Sequence, residues 1–340
     1  MPVTYLDFEQ PLAALDAEVE SLRRGPARGP DVTRALRRLA AERRRLELEV
    51  YDSLSAWQRV QLARHVDRPQ TLDYVGRLCR DFVELHGDRA FADDPAIVAG
   101  LGLCGGAPLA IVGHQRGHGT AERVARNFGM ANPEGYRKAI RVFRLAERLG
   151  IPILTLVDTQ GAYPGVGAEE RGQAEAIAHT MRTMTELRVP IVSVVIGEGG
   201  SGGALALGVG DRVLMQQYAC YSVISPEGCA AILYRDRSPE SIARAAEALR
   251  LTARDLVRAG VVDGFISEPA GGAHRNPRRA VEAVEDAVLH HLAELRRVPV
   301  ATLVDTRYRK FRRIGGHLDA TPARRTARRR SRIAKPRPVR

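Results

Sequence analysis

Apolar residues recur along this chain in two rhythms. Near the N-terminus they return every three or four positions: Leu6, Leu12, Leu15, Val19 and Leu22, then Leu36, Leu39, Leu46 and Val50. That spacing predicts helices over 5–22 and 32–54, separated by the Gly/Pro-rich stretch 24–30. Helical spacing continues over 57–65 and again over 71–87, with Thr71 as N-cap. From residue 97 the rhythm changes to unbroken apolar runs. Ile97–Leu103 and Leu109–Gly113 read as a hairpin turning at 104–108, followed by a polar loop over 114–123. Asn132 and Pro133 open a helix that Gly150 ends. After it come a strand over 151–157, a helix over 168–187, a strand over 191–196 and a short helix from Ala204. Strands at 212–216 and 221–224, a helix over 226–233 capped by Ser225, and helices at 239–250 and 252–259 follow. A strand or turn at 261–266 and a helix over 278–297 complete the pattern. Helices between strands predict an α/β fold. Glycine-containing loops after strands, at 114–119, 158–167 and 197–203, are placed to gather on one side.

The densest of these loops lies between Ile191 and Gly208. An apolar β-branched run meets the short helix through five glycines in seven residues: Gly197, Gly199, Gly200, Gly202 and Gly203. Such a run is expected where φ must be positive or where something approaches the backbone closely. A strand entering a helix there leaves the first N–H groups of the helix pointing outward, suited to a negative oxygen. One reading is therefore an oxyanion hole of main-chain amides near Gly202 and Gly203. A dinucleotide fingerprint, Gly197-x-Gly199-x-x-Gly202, fails because Gly208, Gly210 and Asp211 stop the helix and no acid follows at the required strand end. A serine-hydrolase elbow, Gly199-x-Ser201-x-Gly203, stays open, with Asp263 and His274 as candidate partners. Close packing of helix on strand is the plainest alternative.

Composition adjusts this picture in two places. The net charge of +12 belongs to the C-terminus: residues 307–340 hold 14 Lys/Arg against one acid, while the rest carries 38 basic and 39 acidic groups. The body of the protein therefore gives no reason to expect nucleic-acid binding. Cys79, Cys104, Cys220 and Cys229 form no C-x-x-C pair, so they are expected to be small buried or half-buried thiols, not zinc ligands. No apolar run is long enough to span a membrane, and the N-terminus lacks signal-peptide features, so a cytoplasmic location is expected.

Several motifs, in one order over residues 5–300, resemble the alpha subunit of the bacterial acetyl-coenzyme A carboxylase carboxyltransferase family. They include Leu6-Asp-Phe-Glu-Gln-Pro11, Gly113-His-Gln115, Asn127-Phe-Gly-Met130, Pro133-Glu-Gly-Tyr-Arg-Lys-Ala139, Gly161-Ala-Tyr-Pro-Gly-Val-Gly167, Gly197-Glu-Gly-Gly-Ser-Gly-Gly-Ala204, Tyr221-Ser-Val-Ile-Ser-Pro-Glu-Gly-Cys229 and Gly271-Gly-Ala-His-Arg-Asn-Pro277. The resemblance implies a crotonase-like (ClpP/crotonase) spiral of ββα units with an N-terminal helical extension. It implies transfer of a carboxyl group from carboxybiotin on the biotin carboxyl carrier protein to acetyl-CoA, giving malonyl-CoA for fatty-acid synthesis. The expected partners are a beta subunit in an α2β2 heterotetramer, the carrier protein and biotin carboxylase. Zinc is expected only on the beta subunit, with no cofactor bound directly by this chain and no metal site here.

The resemblance carries the biotin-side oxyanion hole onto Gly202 and Gly203. Gly161, Tyr163, Pro164, Gly165, Val166, Gly199, Gly200, Ser201 and Ala204 would shape the biotin pocket, Ser201 then being a small loop residue. A related acyl-CoA carboxyltransferase and the Ser201 hydrolase are the alternatives. Three features depart from the family pattern: Gln160 in place of proline, His118-Gly119 in place of a charged pair, and the arginine-rich tail. The expected organisation is a helical arm or cap over 1–70, a carboxyltransferase domain over 71–300 and a basic, disordered tail over 301–340. For that tail a solubilising role is preferred to nucleic-acid binding.

Overall fold

The computed structural model describes residues 4–26 and 29–315. Helices α1 (Gln10–Arg24) and α2 (Pro30–Asp52) pack together and are tied by an Arg43–Asp16 ion pair of 2.6 Å. The short α3 (Ala56–Ala63) then enters the core, where Val60 and Ala63 pack on Cys220 and Leu251. The extension is pinned at its start by Glu9, whose buried carboxylate accepts hydrogen bonds from Tyr51 (2.6 Å), the Leu6 N–H (2.8 Å) and Arg275 (2.8 Å). Burial alone would raise the Glu9 pKa; the neighbouring His274 together with these donors holds it well below the usual carboxylate range.

The body begins with α4 (Thr71–Leu78), β1 (Cys79–Glu84), β2 (Ile97–Cys104), β3 (Ala107–His114), α5 (Gly119–Ala125), α6 (Pro133–Leu149) and β4 (Ile153–Thr159). It continues through α7 (Val166–Glu170), α8 (Gln173–Glu186), β5 (Ile191–Gly200), α9 (Ser201–Leu205), β6 (Arg212–Gln216) and β7 (Cys220–Ser222). Then come α10 (Pro226–Cys229), α11 (Pro239–Leu249), α12 (Ala253–Arg258), β8 (Gly264–Ile266), α13 (Pro277–Leu295) and α14 (Val300–Arg313). The sheet runs β1-β2-β3-β4-β5-β6-β8, with β7 pairing the far end of β5. β1, β2 and β3 are antiparallel, and the rest pair in parallel.

Both faces of the sheet are covered, which is why its central strands are continuously apolar. Ala110, Val112, Ile153, Val157, Ile191, Val195 and Met215 face Tyr136, Phe143 and Met184 of α6 and α8. Ile111, Leu154, Leu156, Val192, Val194, Ile196 and Leu214 face Tyr74, Val75 and the apolar stripe of α13. No described helix is long and apolar enough to cross a membrane.

The structure departs from the sequence reading at five points. The helix expected over 71–87 ends at Leu78 and the chain continues as β1. Part of the polar loop after β3 is α5. The helix over 168–187 is two helices, broken where Gly172 takes a left-handed conformation (φ 81°). Cys79 and Cys104, register partners across β1 and β2, are joined by a disulfide, whereas Cys220 and Cys229 are buried thiols as expected. The tail expected from residue 301 starts as α14. Its Arg307 is fully buried and donates to both Asp211 carboxylate oxygens and to the carbonyls of Met184, Leu187 and Val189, all within 2.9 Å. The arginine-rich segment 316–340 lies outside the described residues.

Candidate active site

β4 and β5 are parallel neighbours, with Thr159 opposite Gly199, so the loops that follow them leave the sheet side by side. They touch main chain to main chain. A Cβ on Gly200 would collide with the Gln160 carbonyl, and one on Gly203 would stand 2.6 Å from the Ala162 nitrogen and from the Gly161 carbonyl carbon. At these positions the glycines exist for close approach. The Thr159 hydroxyl donates to the Gly161 carbonyl (2.6 Å) and accepts from the Gly161 N–H (3.1 Å), fixing the first loop. The Tyr163 N–H donates to the Ala131 carbonyl (3.0 Å), and the Gln173 amide bridges the carbonyls of Ala131 and Tyr163. The Tyr163 ring lies over Gly165, where no Cβ would fit, and Pro164 and Val166 stand exposed at the rim.

The strand expected to end at Ile196 runs on to Gly200, and α9 begins immediately at Ser201. Gly202 is half-buried; Gly203 and Ala204 are buried. Leading N–H groups of a helix have no intrahelical acceptor, and those of Gly202 and Gly203 have no backbone acceptor among the described residues. Beside this corner opens a largely apolar cleft of about 290 Å³, lined by Ser201, Leu205, Tyr221, Val223, Leu249 and Leu256 among others. Tyr221 fills the space left by Gly199 and Gly208. Burial pushes its phenol up to about 12, so it stays protonated at neutral pH.

Ser201 sits at φ 51°, a left-handed conformation unusual for a residue with a side chain, and one that a nucleophile elbow also adopts. Its proposed partners are elsewhere. Asp263 accepts from the Val213 N–H (2.7 Å) and from Lys310 (2.7 Å). His274 stacks on His65 with ring centroids 4.0 Å apart, next to Glu9. No histidine hydrogen-bonds to the Ser201 hydroxyl among the described residues, so the base that would activate it is missing.

Residues 5–315 match the family described as acetyl co-enzyme A carboxylase carboxyltransferase-like. The acetyl-coenzyme A carboxylase carboxyl transferase subunit alpha of Xanthomonas campestris pv. campestris is 53% identical over 320 residues, 93% of this chain and 99% of that one. The subunit of the same name from Thiobacillus denitrificans is 52% identical over 325 residues, 95% and 100% of the two chains. The chain belongs to this carboxyltransferase family. Among solved structures, transcarboxylase 12S superimposes with a TM-score of 0.52 at 23% identity, over 67% of this chain and 42% of that one. The beta subunit of P. aeruginosa geranyl-CoA carboxylase does so with a TM-score of 0.52 at 18% identity, over 73% and 46%. These likenesses bear out the crotonase-like α/β fold. Family membership and the missing Ser–His–Asp geometry together remove the hydrolase alternative.

For this member of the carboxyltransferase family, the structure adds groups that the sequence reading assigned no role. A line of alternating charges runs under the glycine corner. Arg116 lies 3.4 Å from Asp158 and 3.5 Å from Glu198, and Arg64 holds Glu198 (2.7 Å) and Glu227 (2.6 Å). Asp158 also accepts the Glu198 N–H at 3.0 Å and occupies the place where Gly197 would carry a side chain. Burial raises the pKa of Asp158, against the pull of Arg116. His114, at the end of β3, is fully buried. Burial pushes its imidazole down to about 3, although the neighbouring backbone of Leu156 and Gly203 favours protonation, so the ring is neutral. The only advance signals were an acid inside a glycine run and a histidine closing an apolar strand, and neither reveals a partner.

Proposed function

We propose that this chain is the alpha subunit of an acetyl-CoA carboxylase carboxyltransferase, and that the corner between β5 and α9 serves the biotin side of the reaction. Carboxybiotin, presented by the carrier protein, supplies the carboxyl group that acetyl-CoA accepts to give malonyl-CoA. Negative charge develops on the ureido oxygen as that group departs. The N–H groups of Gly202 and Gly203 are the donors for that oxygen, and one such donor is worth about 3 kcal/mol. The observation that carries the reading is this pair of amides at the opening of a helix, beside a cleft and free of main-chain acceptors. Gly161 and Tyr163–Val166 form the facing wall. Gly199, Gly200, Ser201 and Ala204 set the corner's shape.

Neither the phenol of Tyr221 nor the imidazole of His114 titrates near neutral pH. That suits a reaction in which the departing biotin, not a protein base, accepts the methyl proton of the acetyl group. The beta subunit supplies the CoA site and a zinc ribbon in an α2β2 assembly. Exposed Leu205 and Val223 beside the cleft, with Ile232 and Leu233 nearby in the chain, provide apolar surface for such a partner. The test is co-expression with a candidate beta subunit and assay of biocytin-dependent malonyl-CoA decarboxylation. The complex is expected to be active and the chain alone inert. Activity of the chain alone, or a complex inert with every acyl-CoA tried, overturns the reading.

A further inference from the structure

Half-buried guanidinium groups in this protein are almost all matched to an acceptor: Arg43 to Asp16, Arg64 to Glu198, Arg137 to Asp88, Arg171 to Glu134, Arg275 to Glu9. Arg59, on α3, departs from that pattern. It is half-buried, yet among the described residues its guanidinium has neither an ion pair nor a hydrogen bond. Its guanidinium sits over the Tyr218 ring, 5.5 Å from the guanidinium carbon to the centroid. Burial lowers its pKa, Tyr218 works against that, and Arg254 lowers it further, while the more distant Asp255 and Asp52 pull it up. Arg254, exposed on α12, lines the same cavity and has no acidic partner within 4.0 Å among the described residues.

That cavity, about 240 Å³, lies where α2, α3, α12, the β6–β7 turn and segment 268–271 meet. Tyr51, Gln217 and Tyr218 add polar groups to its wall. Two of its three acids are already neutralised, Glu47 by Arg43 (3.2 Å) and Glu268 by Arg68 (2.6 Å). The third, Asp52, is exposed and stands beyond ion-pair distance of both arginines. A half-buried cation with no acid in ion-pair contact is unfavourable, and two arginines lining one cavity suit the oxygens of a phosphoryl group.

We propose that this cavity is a binding site for a phosphate-bearing anion, held between Arg59 and Arg254. An anion there connects two elements that flank the candidate active site. The chain leaving α3 carries Arg64, which grips Glu198 of β5, and α12 carries Leu256, which lines the apolar cleft. Occupancy therefore ties the helical extension to the cleft wall and gives a phosphorylated small molecule a route to influence the corner without entering it. Binding at this site does not depend on the carboxyltransferase reading.

The test is isothermal titration of the full chain with inorganic phosphate and, separately, glycerol 3-phosphate, at constant ionic strength set with chloride. Saturable one-site binding is expected in at least one arm. The tighter arm tells whether free phosphate or a phosphomonoester is the preferred form. Arg59→Gln and Arg254→Gln should each weaken binding at least tenfold, whereas Arg258→Gln, an exposed arginine of the same helix outside the cavity, leaves it unchanged. Asp52→Asn should tighten it. Arg254 is exposed, so its variant tests the site even if Arg59→Gln fails to fold. No saturable binding in either arm, equal affinity in the Arg254 variant, or acetate binding as tightly as phosphate overturns the proposal.

Discussion

Adding one methyl group at Gly203 separates an amide that acts from a glycine that merely fills space. A Cβ there would stand 2.6 Å from the Ala162 nitrogen and the Gly161 carbonyl carbon and 3.0 Å from the Gly161 oxygen. All three are main-chain atoms, so no side-chain rotation relieves the overlap. Comfortable separations are about 3.5–4.0 Å, so α9 and the 161–162 segment must part by roughly 1 Å. An amide moved that far from a developing oxyanion loses most of a contribution worth about 3 kcal/mol, or roughly 10²–10³ in kcat. The same methyl at Gly202 meets only the Ile177 side chain, at 3.5 and 3.8 Å, an ordinary contact. Gly202→Ala therefore keeps kcat within the same order of magnitude, and it gains helix propensity of up to about 1 kcal/mol. The assay is biocytin-dependent malonyl-CoA decarboxylation by the assembled complex, with circular dichroism to verify folding. The loss in Gly203→Ala should fall on kcat with little change in the KM for biocytin. Equal losses in two folded variants, or parental kcat in Gly203→Ala, would refute the assignment.

Ser201→Ala should retain decarboxylation activity, and Ser201→Gly should raise the unfolding midpoint, because glycine relieves about 1 kcal/mol of left-handed backbone cost; an inactive but folded Ser201→Ala variant would contradict this. Arg307→Met leaves the Asp211 carboxylate and three carbonyls without their donor, so urea denaturation should show a loss of about 3–5 kcal/mol, and a loss under about 1 kcal/mol would sink the anchor argument. His65 is held neutral in the fold, its pKa pushed down to about 4 by burial first and by His274 next. The unfolded chain therefore binds more protons between pH 6.5 and 4, and stability falls as pH drops through that window, by roughly 3 kcal/mol from this ring. His65→Gln should flatten that limb of the stability profile, and an unchanged slope counts against the reading.

The parts of the fold that could be read from the sequence are those where local chemistry and burial agree. The helix over 133–149 has an N-cap position at Asn132, proline at N1 and a left-handed glycine at 150, and it forms as expected. The central strands are apolar throughout because both sheet faces are covered. The stretch 71–87 misled because its apolar residues suit either period, and pairing of β1 with β2 decided the outcome. Five glycines suggested a turn, yet β5 continues through Gly200 because β7 pairs with Glu198–Gly200. Of the candidate site, the glycine corner and the 161–166 loop were legible from composition and resemblance. The charged line beneath them was not, since Arg64, Arg116, Asp158 and Glu198 are far apart in the chain. Nor could counting charges show that one arginine of the basic C-terminal stretch, Arg307, belongs to the core.

That arginine has a consequence for how the protein is made. Its carboxylate acceptor precedes it by 96 residues. At a translation speed of about 5–20 residues per second, the acceptor waits on the order of 5–20 s for its donor to be synthesised. Throughout that interval the entry to β5 and the neighbouring β6 edge lack their final clamp. The nascent chain thus closes this clamp only after every strand of the sheet has been made. A chain stopped before residue 307 would hold the β5–α9 corner yet leave Asp211 without its guanidinium donor.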